Sequence, residues 1–255
     1  MLAKIIELKR GEVELAKLQR PIEQLIKQAE PGTFAFQKAL THQDWALIAE
    51  CKLASPVKGP LCTEYTVTDL ARIYTENGAS ALSVLTDVHF QGNLEHLAAV
   101  RKVTNLPLLR KDFVIDVYQI YEARCAGADA VLLIAGVLGP VEMQDYLNVA
   151  KNLGMDCLVE VHTRDELEQV LGTSAQIIGI NNRDLKTFVT NLDNTFTLLP
   201  HCAGRLVISE SGVSTGENAL RLKQAGARGI LVGEGLVKAP DIAAKTRELA
   251  MCDSK

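Results

Sequence analysis

The 255-residue chain carries no surplus of basic charge: 27 Lys and Arg stand against 31 Asp and Glu, a formal net charge of −4. Nucleic-acid and membrane-surface binders cluster positive charge, so neither kind of partner is expected. The six cysteines form no C-x-x-C pair, and Cys51 and Cys157 fall in strand-like runs. That is the pattern of reduced thiols in a cytosolic protein. No metal is expected either, because His42, His89, His96, His162 and His201 show no ligand spacing. No G-x-G-x-x-G follows an early strand, which leaves a dinucleotide-binding fold without support. The longest apolar run, Ala130 to Val137, falls far short of the roughly 20 residues of a membrane span. Residues 1–30 hold no apolar signal core, since Lys4, Glu7, Lys9 and Arg10 interrupt them. A soluble, cytoplasmic protein is expected.

What is present is alternation. Leu2, Ile5, Ile6, Val13, Leu15 and Leu18 recur at helical spacing, and Pro21 opens a second short helix that Pro31-Gly32 stops. Strand-like runs then follow at Ala46–Lys52, Ala81–Thr86, Leu106–Lys111, Ala130–Ala135, Asp156–His162, Ile177–Asn182, Leu206–Ser211 and Gly229–Gly233. Amphipathic helical stretches separate them, several ending in Gly, as at Gly78, Gly127, Gly154 and Gly226. No linker or low-complexity segment marks a second domain. The expected fold is a single α/β domain over residues 1–255, a (β/α)8 barrel with residues 1–45 as an N-terminal helical extension. An open doubly wound sheet would show the same alternation.

The stretch Leu47 to Gly59 shows where the chemistry lies. Glu50 and Lys52 leave the same face of a strand that Ser55-Pro56 breaks. Opposite charges on the inner face of a core strand are costly unless they pair or meet a ligand, so a structural ion pair is the plain alternative. The other strand ends repeat the pattern with shared parity: Lys111, Glu160, Asn181 with Arg183, and Glu210 with Ser211. Five such ends are hard to explain as structure. If all point inward, ionisable groups converge on one mouth and perturb one another, which is how acid and base roles arise. Gly212 follows strand seven and opens a helix; Gly233-Glu234-Gly235 follows strand eight. Backbone N–H groups there suit a phosphate.

With these residues in view, the chain resembles the indole-3-glycerol phosphate synthase family from about Leu2 to Leu249. Ile48-Ala49-Glu50-Cys51-Lys52 with Ala54-Ser55-Pro56, and Ser83-Val84-Leu85-Thr86-Asp87, carry the likeness. So do Leu109-Arg110-Lys111-Asp112-Phe113, Leu158-Val159-Glu160-Val161-His162, Gly179-Ile180-Asn181-Asn182-Arg183-Asp184-Leu185 and Ser209-Glu210-Ser211-Gly212. The resemblance implies a decarboxylating cyclase acting on 1-(2-carboxyphenylamino)-1-deoxyribulose 5-phosphate, without cofactor, as a monomer or weak homo-oligomer. It implies Lys111 as general acid and Glu160 as base, with Lys52 a second acid or anion partner. Glu50 and Glu210 would hold the lysines charged and bind ribulose hydroxyls, and Asn181 would orient the substrate. Arg183, Ser55, Ser211, Gly212, Gly233 and Glu234 would bind the phosphate and carboxylate. Leu61, Phe90, Phe113, Leu132 and Leu158 are candidates for an apolar wall around the aryl ring. A phosphoribosylanthranilate isomerase would share the phosphate site but needs no pair of lysines. An inactive barrel would have lost the strand-end charges. The first loop departs from the family pattern: Leu53 replaces a basic residue and Val57 a small polar one. The loop Thr86 to Gly92 is one residue short, which bears on where Phe90 lies.

Overall fold

The computed structural model describes residues 2–55, 59–184 and 189–252. Eight apolar runs form parallel strands: β1 (Ala46–Cys51), β2 (Ala81–Leu85), β3 (Leu108–Lys111), β4 (Ala130–Ile134), β5 (Asp156–Val161), β6 (Ile177–Asn181), β7 (Leu206–Glu210) and β8 (Gly229–Val232). Nearly every strand residue is buried, the condition imposed on a parallel sheet covered by helices. The strands close into a barrel through β1 and β8, where Ala46 pairs with Gly229 and Ile48 with Leu231. An open doubly wound sheet would have left edges instead. The observed strands are those expected from the alternation, shortened mainly at their C-terminal ends, where the chain turns to chemistry.

Parity sorts the core into two. Outward residues such as Leu47, Ala49, Val131, Val159 and Ile178 pack under the helices. Inward residues, among them Ala46, Ile48, Leu109, Leu132, Leu158, Ile208 and Leu231, fill the barrel. Helices between the strands begin at side-chain caps: Thr66 and Asp69 form a capping box at Val67–Glu76, and Thr163 and Thr215 cap Arg164–Leu171 and Gly216–Ala225. Gly78, Gly127, Gly154 and Gly226 all take positive φ, as a helix stop requires. Among the described residues no helix is long and apolar enough to cross a membrane.

Three helices precede β1: α1 (Leu2–Gln19), α2 (Ile22–Gln28) and α3 (Ala35–His42). The first two match the spacing; α3 was not expected. It plugs the barrel floor, where Phe36 and Leu40 join the interior cluster. Its first turn has no local side-chain cap, since Phe34 precedes it in the left-handed region at φ 55°. Asp156 at the start of β5 substitutes, accepting a 2.9 Å hydrogen bond from the Gln37 N–H. Helix α1 crosses the opposite end. Its Lys9 is 4% exposed and lies 2.8 Å from Asp87 and 2.9 Å from Asp112, on the loops after β2 and β3. Asp112 is held in turn by Arg110 and Thr86.

After β1 the chain forms a short antiparallel ribbon, Ala54–Ser55 against Gly59–Pro60. Leu53, in place of the expected basic residue, packs on the outer core. Val57, Pro56 and Leu185 lie outside the described residues.

Candidate active site

The C-terminal ends of the strands open on one cavity. Glu50, Lys52 and Ser55 border it from β1 and its loop, Lys111 and Phe113 from β3, and Leu132 from β4. Glu160, Asn181, Arg183, Glu210, Ser211, Gly212, Gly233 and Glu234 complete the ring from β5 to β8. Strand parity thus delivers the expected side chains to one mouth. Leu158 is a correction: it is fully buried in the packed layer beneath, against the open side of Gly179, and does not border the cavity. Leu61 is another, for it packs on the outer core instead of facing the mouth.

Lys111 is the hub. Its ammonium lies 3.2 Å from Glu160 Oε2, to which it donates a hydrogen bond, and 3.6 Å from Glu210 Oε2. Burial opposes its charge, but Glu160, Glu210 and Glu50 outweigh burial and hold the ammonium well above its usual range. Lys52 pairs with Glu50 at 3.3 Å. Three buried carboxylates share a low-dielectric pocket with Lys111, Lys52 and His162, and the least compensated of them holds its proton to higher pH. That carboxylate is Glu210: burial, reinforced by Glu160 and Glu50 and only partly offset by Lys111 and His162, lifts it to about 8. Burial would raise Glu160 too, yet Lys111 and His162 hold it below the ordinary carboxylate range. Two similar carboxylates are thus split into one ionised group and one protonated group, the arrangement that separates base from acid.

Glycines make the room. The Glu210 carboxylate fills the space a β-carbon on Gly179 would take, and Glu50 does the same over Gly233. Ser211 and Gly212 follow β7 in the left-handed region, at φ 65° and 85°. Asn182, which the sequence reading left without a role, locks that turn. Its Nδ2 donates to Ser209 Oγ at 2.9 Å and to the carbonyls of Glu210 and Ser211 at 2.9 and 3.0 Å. Its Oδ1 accepts from Thr195. The Asn181 Oδ1 accepts from the Arg183 N–H at 3.0 Å, and the Arg183 guanidinium reaches across to Glu234 at 3.9 Å.

The short loop after β2 still brings Phe90 to the cavity, with Lys52 Nζ 5.2 Å from its ring centroid, a cation–π contact. Gly92 permits this turn, since any β-carbon there would meet the Leu85 carbonyl. Leu2 and Ile5 of α1 also border the cavity. Sequence reading missed both, together with Lys9, because helix periodicity shows a buried face but not what it covers.

Comparison with known proteins gives a consistent result. The family model described as indole-3-glycerol phosphate synthase matches residues 2–249. An indole-3-glycerol phosphate synthase of Desulforamulus reducens is 47% identical over 261 residues, covering 100% of this chain and 98% of the relative. That of Roseiflexus castenholzii is 48% identical, covering 98% and 97%. Among solved structures, thiamine phosphate pyrophosphorylase from Pyrococcus furiosus superposes with a TM-score of 0.62 at 17% identity, covering 85% of this chain and 96% of that one. The 3-hexulose-6-phosphate synthase from Salmonella typhimurium gives 0.61 at 14%, covering 81% and 97%. These two likenesses concern the fold alone.

Proposed function

The chain belongs to the indole-3-glycerol phosphate synthase family, and from that premise we propose its reaction and the part each side chain plays. It closes the ring of 1-(2-carboxyphenylamino)-1-deoxyribulose 5-phosphate, releasing carbon dioxide and water to leave indole-3-glycerol phosphate. The conversion involves no net redox change, so acids, bases and fixed charges suffice for it.

The aryl carbon bearing the carboxylate attacks the ketone carbon, and negative charge grows on the ketone oxygen. Lys111 donates a proton there; its firm positive charge makes it an acid that is always loaded. Carbon dioxide then leaves, and the bonding pair restores the aromatic ring. Dehydration follows: Lys52 protonates the departing hydroxyl while Glu160, held ionised, takes the proton from the ring carbon next to nitrogen. Glu50 and protonated Glu210 bind ribulose hydroxyls, and Asn181 orients the substrate. Arg183 offers its fork to the carboxylate or phosphate. Ser55, Ser211, Gly212, Gly233 and the Glu234 N–H hold the phosphate, and Phe90, Phe113 and Leu132 wall the aryl ring. The chain works as one barrel unit with residues 1–45 as its extension, a cytoplasmic monomer or weak homo-oligomer. Its partner is a small phosphorylated molecule, not nucleic acid or membrane; the net charge of −4 supports this.

The observation that carries the reading is Lys111 wedged between Glu160 and Glu210 at the mouth. The test is product fluorescence from purified wild type and Lys111→Ala, without added metal. Wild-type turnover with a loss of about 10²–10⁴-fold in the variant is expected. Binding without turnover in wild type would point to an inactive barrel, and no binding would sink the substrate assignment.

A further inference from the structure

The proposed reaction, on which this inference rests, contains an interval that is unfavourable for Glu160. Lys111 gives its proton to the ketone oxygen first, and only later does Glu160 take a proton from the ring carbon next to nitrogen. Glu160 then returns that proton to the Lys111 amine, 3.2 Å away, so the pair restores itself. Lys52 protonates the departing hydroxyl and is reloaded from solvent. Between the first transfer and the ring deprotonation Lys111 is neutral. A buried carboxylate that has lost its cation tends to take up a proton, and then it can no longer act as a base.

A second cation stands on the other side of Glu160. Its Oε2 faces Lys111, whereas its Oε1 faces His162 Nε2 at 3.3 Å. The groups that face this carboxylate are Lys111 from β3, His162 from β5, Asn181 from β6 and Glu210 from β7. Glu50 lies beyond them and acts on Lys111 and Glu210. Of the groups facing Glu160, His162 is the cation that remains once Lys111 is neutral. Glu160 borders the cavity and His162 does not, so bound substrate leaves the ring in place.

The imidazole is fixed for this part. Glu166, in the first turn of Arg164–Leu171, accepts a 2.6 Å hydrogen bond from the His162 backbone N–H. The same Oε2 lies 3.5 Å from His162 Nδ1. Glu166 Oε1 rests in the space beside Gly136, 3.0 Å from where a β-carbon would stand. The His162 carbonyl accepts from Asn194 Nδ2, which also donates to the Asn181 carbonyl. His162 Nε2 is buried with no aligned hydrogen-bond partner among the described residues, so its approach to Glu160 acts through charge. Burial disfavours the imidazolium, but Glu166, Glu160 and Glu210 outweigh burial and keep His162 charged to higher pH than usual.

We propose that His162, clamped by Glu166, is a positioning residue that holds Glu160 as an anion while Lys111 is neutral, ready for the ring proton. Neither His162 nor Glu166 gives or takes a proton in the cycle; both act through Glu160.

The test is steady-state kinetics of wild type, His162→Gln and Glu166→Gln across pH 5.5–9, with hydrogen or deuterium on the substrate carbon next to nitrogen. His162→Gln should lower kcat roughly tenfold or more near pH 6, with little change in KM because the ring lies outside the cavity. Without the imidazolium Glu160 ionises at higher pH, so the acidic limb of the kcat profile should move up. Deprotonation slows relative to ring closure, so the deuterium effect on kcat should grow. Glu166→Gln keeps an acceptor for the His162 N–H but removes the charge that holds the ring protonated. It should outpace His162→Gln at pH 5.5 and converge on it as the ring loses its charge. A wild-type kcat profile in His162→Gln, or a loss of kcat with the acidic limb and the deuterium effect both unchanged, would overturn the proposal. If His162→Gln does not fold, Glu166→Gln decides: a ratio to wild type that stays constant from pH 5.5 to 7.5 overturns it, and one that falls supports it. Absence of product from wild type would instead overturn the assigned reaction.

Discussion

The Glu210 carboxylate stands over Gly179, in the space that any β-carbon on that strand residue would need. One glycine on β6 thus decides where an acid from β7 can sit. Gly179→Ala should push Glu210 off Lys111 and disturb the balance of charge around it. The expected outcome is a fall in kcat/KM of at least tenfold, about 1.4 kcal/mol of transition-state stabilisation, with the fold retained. Kinetics and a circular-dichroism melt on the same preparation check it. An unchanged kcat/KM would mean that Glu210's position does not matter to turnover.

Glu210 also ties stability to pH. Its folded value, about 8, lies above that of an unfolded glutamate, about 4.3. The folded state thus binds the extra proton between those values. Stability from this group is fully present below about pH 4.3 and is lost as pH rises through 8. Glu210→Gln removes the titration and keeps the shape. Its melting temperature relative to wild type should rise by a few degrees between pH 5 and pH 9. A difference that stays flat across that range would show that Glu210 ionises normally in the folded protein.

Lys9 pins α1 across the mouth by two buried aspartates, Asp87 and Asp112, with Glu12 alongside at 2.7 Å. Removing one partner of a buried charge cluster leaves the others uncompensated, at a cost of roughly 3–5 kcal/mol. Lys9→Met should lower the melting temperature by about 10 °C. Because α1 carries Leu2 and Ile5 to the cavity and Asp87 leads into Phe90, KM should rise more than kcat falls. A stable variant with wild-type KM would show that α1 does not shape the site.

The reach of the sequence can be judged from particular residues. Glu50, Lys111, Glu160 and Glu210 were legible because strand parity is local: each lies an even number of residues from an inward apolar neighbour such as Ile48, Leu109 or Ile208. Depth is not local. Leu158 shares that parity but lies one layer below Glu160, two residues back along β5, and only the assembled barrel shows that the cavity ends above it. Helix α3 was invisible because its cap comes from Asp156, over a hundred residues on. Lys9 read as one more charge on an amphipathic helix, since its partners arrive from two distant loops. The partners of His162 were not legible, because its links to Glu160 and Glu166 depend on where β5 turns into the next helix.

The sequence by itself determined the alternation of strands and helices, the faces of the strands, the glycine stops and the set of charged groups at the strand ends. These follow from backbone periodicity and side-chain chemistry, which act over a few residues. Only the tertiary structure decided that β1 meets β8, that Phe36 and Leu40 plug the floor, and which oxygen of Glu160 meets Lys111 and which meets His162. Barrel closure fixes those distances, and with them which buried carboxylate keeps its proton, because charges in a low-dielectric site respond to separations that no single stretch of chain encodes.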